Sequence, residues 1–93
     1  MKAALKDRVI ADSDDIVEEG GYSYFPSSDM CLELLEKADK TPSDRACPHG
    51  VQFYDVVIDD KRHKRAAWRY EAPRPSMKHV ANRFSFWDEV EVG

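Results

Sequence analysis

From Val51 to Ile58 the chain is dense in Val, Ile, Phe and Tyr, and after Asp59-Asp60-Lys61 it returns through Arg65 to Glu71. β-Branched and aromatic residues suit a pleated, half-buried surface, and a polar pair between two such runs is turn chemistry, so this stretch predicts a β-hairpin. The two-residue period of a strand puts Ala66, Trp68 and Tyr70 on one face of the return strand and Ala67, Arg69 and Glu71 on the other. Two more hairpins are predicted upstream. Lys2 to Leu5 and Arg8 to Asp12 flank Lys6-Asp7, while Ile16 to Glu19 and Tyr22 to Phe25 flank Gly20-Gly21, two positions able to take positive φ.

Helical signals are fewer. Pro26-Ser27-Ser28-Asp29 offers side-chain oxygens for the free amides of a first turn, and Met30, Leu34 and Ala38, with Cys31 and Leu35 beside them, then fall on one stripe. This predicts a helix with Cys31 in the core and Glu33 and Lys37 paired outside. A polar connection, Asp39 to Arg45, follows and contains Pro42. Ser76 is placed to cap a second helix, in which Met77, Val80, Ala81 and Phe84 follow i, i+3, i+4, i+7 spacing, and Ser85 to Val92 reads as a closing strand. The expected fold is therefore α+β and β-rich: a compact antiparallel sheet or partly closed barrel with two short helices. With 93 residues, one domain spanning 1–93 is expected, burying on folding only about 60 to 65 per cent of the surface its unfolded chain exposes.

The charge balance narrows the partners. A net charge of −4, from 18 acidic and 14 basic residues, opposes general binding to a phosphate backbone, so nucleic acid is not expected. The dense basic run Lys61-Arg62-His63-Lys64-Arg65 is placed at a hairpin tip, where it is read as a solvated turn or a contact for phosphate or an acidic partner; no aromatic interleaves it to stack a base. Two cysteines, Cys31 and Cys47, fall far short of a secreted disulfide framework and predict reduced thiols in the cytoplasm. No apolar run approaches the roughly 20 residues needed to span a bilayer, and no signal-peptide core is read at Met1 to Lys6.

Several short motifs occur in a recognisable order. Tyr22-Ser23-Tyr24-Phe25-Pro26, Cys47-Pro48-His49-Gly50, Tyr54, Ala66-Ala67-Trp68-Arg69-Tyr70, Pro73 and Pro75, and Phe84-Ser85-Phe86-Trp87 together span nearly the whole chain. In that order they resemble a family of small bacterial domains known as domain of unknown function family 427. The resemblance implies a similar compact β fold of tent-like type, and it brings a label of nucleotidyltransferase type with no catalytic motif behind it. The family's turn reads Cys-Pro-aromatic-Lys-Gly. Here it is one residue shorter and lacks the lysine, so if that lysine holds an anion, His49 or Arg45 would have to stand in.

Candidate site residues follow from the same stretches. Cys47 and His49, two apart in a turn stiffened by Pro48 and Gly50, could set a thiolate beside an imidazole, but no orienting third residue is evident, and a packed thiol beside a surface imidazole is the simpler account. One such close pair cannot supply the roughly four ligands of structural zinc, and Cys31, His63 and His79 fall elsewhere, so no metal or other cofactor is expected. Tyr24, Tyr54, Trp68 and Tyr70 bring three hydroxyls and an indole N–H, more polar handles than a small core requires, which suits a lined cleft. A ligand site is accordingly expected at Tyr24, Cys47, His49, Gly50, Tyr54, Trp68 and Tyr70, taking an unidentified small molecule in a monomer or homodimer. Two other readings stand beside it. One is a nucleotidyltransferase-type enzyme, for which no catalytic residue can be named. The other is a non-catalytic interaction module using Phe86-Trp87 and Asp88-Glu89 as a partner surface.

Overall fold

In the computed structural model, which describes residues 1–87 and 89–93, the first two predicted hairpins are present with their turns in place. β1 (Lys2–Leu5) pairs antiparallel with β2 (Arg8–Asp12), and Lys6 and Asp7 both take positive φ between them. β3 (Val17–Glu19) pairs with β4 (Tyr22–Tyr24) across Gly20 and Gly21, whose φ values of 60° and 85° suit residues without a Cβ.

The helix predicted after Pro26 does not form. Residues Ser27–Asp29 and Leu32–Leu34 make single 3₁₀ turns, and Leu35–Lys37 is a strand, β5. The reason lies in its neighbours. The Cys31 amide donates to the Ile10 carbonyl at 2.7 Å, Met30 bridges Ala11, and β5 pairs with Val56 to Tyr54, so this segment's hydrogen bonds go to other strands. A helix of nine residues is marginal alone, and long-range pairing outweighs it. Met30 and Leu34 are still buried, as their spacing suggests, whereas Cys31 is only half-buried and is no part of the core cluster. Glu36, not Glu33, finds the cationic partner, Arg62.

The polar connection contains a helix of its own, α1 (Pro42–Arg45). Thr41 Oγ1 accepts from the Asp44 amide while the Asp44 carboxylate accepts from the Thr41 amide, a reciprocal cap on the free N–H groups of the first turn. The second predicted helix is present as a 3₁₀ helix, Pro75–Val80, capped at Arg74 with no side-chain bond, so Ser76 is not its cap.

β6 (Val51–Ile58) and β7 (Lys61–Tyr70) form the long central hairpin, extended by β5 on one edge and β8 (Phe84–Phe86) on the other. β9 (Glu91–Val92) closes a smaller sheet of order β2-β1-β9. The closing strand predicted over Ser85 to Val92 is thus divided between β8 and β9, and Asp88 within it lies outside the described residues. The sheets are antiparallel, rich in strand, and do not close into a barrel among the described residues. β7 begins at Lys61, so the basic run is strand, not hairpin tip. Between Tyr54 and Val56 the register slips, and Arg65 takes φ 55°, a left-handed value uncommon for a residue with a Cβ. Below that irregularity Phe53 faces Trp68 and Tyr54 faces Ala67. Directly opposed residues share a face, so Tyr54, Val56, Ala67, Phe84 and Phe86 line the core side with Ile10 and Phe25, and Phe53 and Trp68 line the other.

Candidate functional site: an aromatic strip along β7

The non-core face of the central sheet carries a continuous row of rings. Trp68 is its centre, buried to 4% exposure, with the Trp87 ring at 4.6 Å and the Tyr22 ring edge-on at 5.0 Å. Phe53, across the ladder, stacks on Trp87 at 6.5 Å and lies 6.2 Å from Trp68. At one end the Arg65 guanidinium sits 3.9 Å above the Phe53 ring, a geometry in which a cation meets the negative face of the π system. Towards the other end Tyr24 lies 6.4 Å from Tyr70, and His49 lies 5.4 Å beyond it on Tyr70. Strand alternation builds the row: Tyr22 and Tyr24 are two apart on β4, Trp68 and Tyr70 two apart on β7.

Polar groups in the row are unusually placed. Trp68 Nε1 is buried without a hydrogen-bond partner. Burial pushes the Tyr24 hydroxyl up to about 12, the neighbouring Tyr70 adds to the rise, and the nearby Trp68 N–H acts against it without forming a well-aligned bond. Half-exposed Tyr22 and the 41%-exposed Trp87 also form a wall of a cleft of about 430 Å³, whose lining includes Glu18, Ser23 and Ser85. Ser85 Oγ donates to the Ser23 carbonyl at 3.1 Å and Ser23 Oγ to Glu18 at 3.4 Å, so hydroxyls and a carboxylate converge beside the rings.

Of the seven residues named from sequence, six gather at this face or on the turn beside it. Trp68, Tyr24, Tyr70 and His49 are in the row itself. Cys47 and Gly50 belong to the adjoining turn, where the Gly50 amide donates to the Cys47 carbonyl and the Glu71 and Ala72 amides donate to the carbonyls of Gly50 and His49. Gly50 has φ 63°, and a Cβ there would meet the Ala72 nitrogen at a tight 3.3 Å, so both conformation and close approach favour glycine. The Arg74 amide donates to His49 Nδ1 at 3.0 Å, which engages the ring nitrogen nearest the backbone and leaves Nε2 as the protonated site of a neutral ring. The turn is therefore a clamp on the end of β7. Tyr54 is the exception: it lies on the core side, its ring 5.0 Å from Phe84 and 5.4 Å from the Arg69 guanidinium, and burial raises its hydroxyl pKa while Arg69 partly offsets the rise.

Tyr22, Phe53 and Trp87 were not among the expected site residues. The period-two relation of Tyr22 to Tyr24 was a readable signal; Phe53 required the register of β6 against β7. Phe86, expected beside Trp87 on an exposed surface, is buried in the core.

Charged side chains collect at the Arg65 end. Asp44 accepts both Arg65 Nη groups at 2.9 Å, and this bonding, working against burial and helped by Thr41, holds its carboxyl down at about 2. Burial alone would raise Asp55, but the Arg65 amide at 2.9 Å and Arg62 at 2.8 Å more than reverse it and lower its pKa. Arg62 also reaches Glu36 at 3.1 Å. Among the described residues no three His, Cys, Asp or Glu side chains converge as metal donors.

The family model for a domain of unknown function, DUF427, matches residues 1–93, the whole chain. The chain belongs to the DUF427 family. The short name of that family, NTP_transf_9, is of nucleotidyltransferase type, while its description assigns no function. No curated protein matches this DUF427 chain. No helix among the described residues is long and apolar enough to cross a membrane.

Proposed function

We propose that this DUF427 domain is a small-ligand-binding module and that its ligand, a planar molecule, lodges against Trp87 and Tyr22 in the cleft beside Trp68. The observation that carries this reading is the cleft itself. At about 430 Å³ it falls in the size range of small-molecule sites, and it sets aromatic stacking surface beside several polar groups that can orient a ligand. The half-exposed rings offer stacking surface, and the buried, unpartnered Trp68 N–H supports a row that does more than fill space. Tyr24, Tyr70, His49 and the Cys47–Gly50 turn support the far end of the row and hold β7 in place.

Binding is favoured over nucleotidyl transfer by the state of the carboxylates. Such transfer uses free, converging carboxylates to hold magnesium, whereas the buried carboxylates among the described residues, Asp44 and Asp55, are each engaged by an arginine and no three acidic or metal-donor side chains converge there. Cys31 and Cys47, both free, suit a reducing compartment, and we place the protein in the cytoplasm on that basis.

Tryptophan emission tests the reading. A metabolite collection screened against the wild type should yield planar compounds that quench or shift emission, with binding lost in Trp87→Ala and Tyr22→Ala. Trp68→Phe separates the two indoles. Hits that bind both Ala variants with unchanged affinity would place the ligand elsewhere and refute the site.

A further inference from the structure

A second cleft, of about 440 Å³, lies past the Arg65 end of the row, between the β5–α1 connection and the start of β7. Its lining includes Lys37, Arg62, Lys64 and Arg65, with Asp39 and Asp55 among them, in a chain whose net charge is −4. We infer that this cleft is an oxyanion site that takes the phosphate group of a small phosphorylated molecule.

Three features support this. First, the two guanidiniums are fixed before any ligand arrives. Arg65 is gripped by buried Asp44 through both Nη groups, and Arg62 by Asp55 and Glu36 through one each. A guanidinium carries five N–H donors, so each keeps donors for a further acceptor, already oriented and with little side-chain entropy left to lose. Second, Lys37 and Lys64 are exposed, line the same cleft and form no ion pair among the described residues, which leaves their positive charge available to an anion. Third, the backbone is distorted here. Arg65 keeps φ 55° because Asp55 accepts from its amide at 2.9 Å, and a non-glycine residue held in that region is a recurrent feature of binding sites. The distortion sets the Arg65 head both over Phe53 and at the rim of the cleft. The inference does not depend on a planar ligand at Trp87, since none of its groups belongs to the first cleft.

The test is a titration of ¹⁵N-labelled protein at low ionic strength with inorganic phosphate, glycerol phosphate and succinate, followed through backbone and arginine side-chain resonances. Saturable shifts at Arg62, Lys64 and Arg65 are expected with the two phosphates. Lys37→Gln combined with Lys64→Gln should weaken them roughly tenfold, because both changes are at exposed positions and remove only local charge. Lys2→Gln combined with Lys78→Gln, which removes the same charge at exposed positions outside the cleft, should leave the affinity unchanged. Shifts that fail to saturate at millimolar phosphate, or that are equal in the double variant, would overturn the site; succinate binding as tightly as glycerol phosphate would overturn the phosphate assignment. Loss of planar-ligand binding in Trp87→Ala with phosphate shifts intact would leave this inference standing, so the two failures are distinguishable.

Discussion

Replacing Asp44 with Asn should destabilise the fold in a pH-dependent way. The Asp44 carboxylate closes the cap with Thr41 and accepts two bonds from Arg65, at 2.9 Å each, while being 5% exposed. Its pKa falls from 3.8 to about 2. That difference corresponds to at most roughly 2 to 3 kcal/mol of stability. The Arg65 side chain is 35% exposed, so screening lowers the figure towards the bottom of that range, about 2 kcal/mol or less. Asn keeps the shape and one acceptor but strands the Arg65 charge and loses an acceptor oxygen, which returns the expected loss to about 2 kcal/mol at neutral pH. In a domain of this length that is a fall of about 10 °C in Tm. A carboxyl with a lowered folded-state pKa stabilises above its unfolded pKa and loses the contribution as pH falls through its folded pKa. The gap between wild type and Asp44→Asn in urea unfolding should therefore be full above about pH 5 and shrink as pH falls towards 2. Combining the change with Arg65→Gln should cost less than the sum of the two single changes, because the two share the Asp44–Arg65 interaction. A gap under about 0.5 kcal/mol at neutral pH, or one unchanged down to the lowest pH at which the protein stays folded, would refute the argument.

Trp68→Ala should cost about 3 to 5 kcal/mol, since the ring is almost wholly buried among Tyr22, Phe53 and Trp87; a denaturation midpoint close to the wild type's would contradict that packing. Asp60→Gly should instead stabilise the protein by about 0.5 to 1 kcal/mol, because Asp59 and Asp60 hold φ values of 50° and 65° in a hairpin turn that favours glycine at its second position. A calorimetric Tm that falls in this variant would show that the Asp60 side chain contributes something its backbone strain does not reveal.

What could be read in advance followed the range of the forces involved. Hairpin turns are local chemistry: Lys6-Asp7, Gly20-Gly21 and Asp59-Asp60 each announce a reversal from residues in direct succession, and each is in place. The pairing of Trp68 with Tyr70 on one face needed only the two-residue period. The stripe of Met30, Leu34 and Ala38 was also real in that Met30 and Leu34 are buried, but helix and extended chain bury such residues about equally well, and the choice fell to the Ile10 carbonyl and the free edge of β6, which no local pattern announces. Asp44 was hidden for a related reason: a Thr-Pro-x-Asp cap is short, and its partner Arg65 lies 21 positions away.

Tyr54 shows how a single register decision moves a residue out of a site. Adjacent residues of a strand face opposite ways, so pairing Phe53 rather than Tyr54 with Trp68 sends Tyr54 to the core and brings Phe53 under Arg65 and Trp87. The slip between Tyr54 and Val56 is held by Asp55, whose two oxygens bind the Arg65 amide and the Arg62 head. Uniform pairing back from the Asp59-Asp60 turn would extend Val56 opposite His63 to Tyr54 opposite Arg65, whereas the observed partner is Ala67, two residues further on. The two additional residues on β7 make the irregularity that turns the Arg65 head towards Phe53. The basic run that composition marked as a solvated tip is thus the part of the hairpin that joins the aromatic row to the charged cleft, with its arginines directed by Asp44, Asp55 and Glu36.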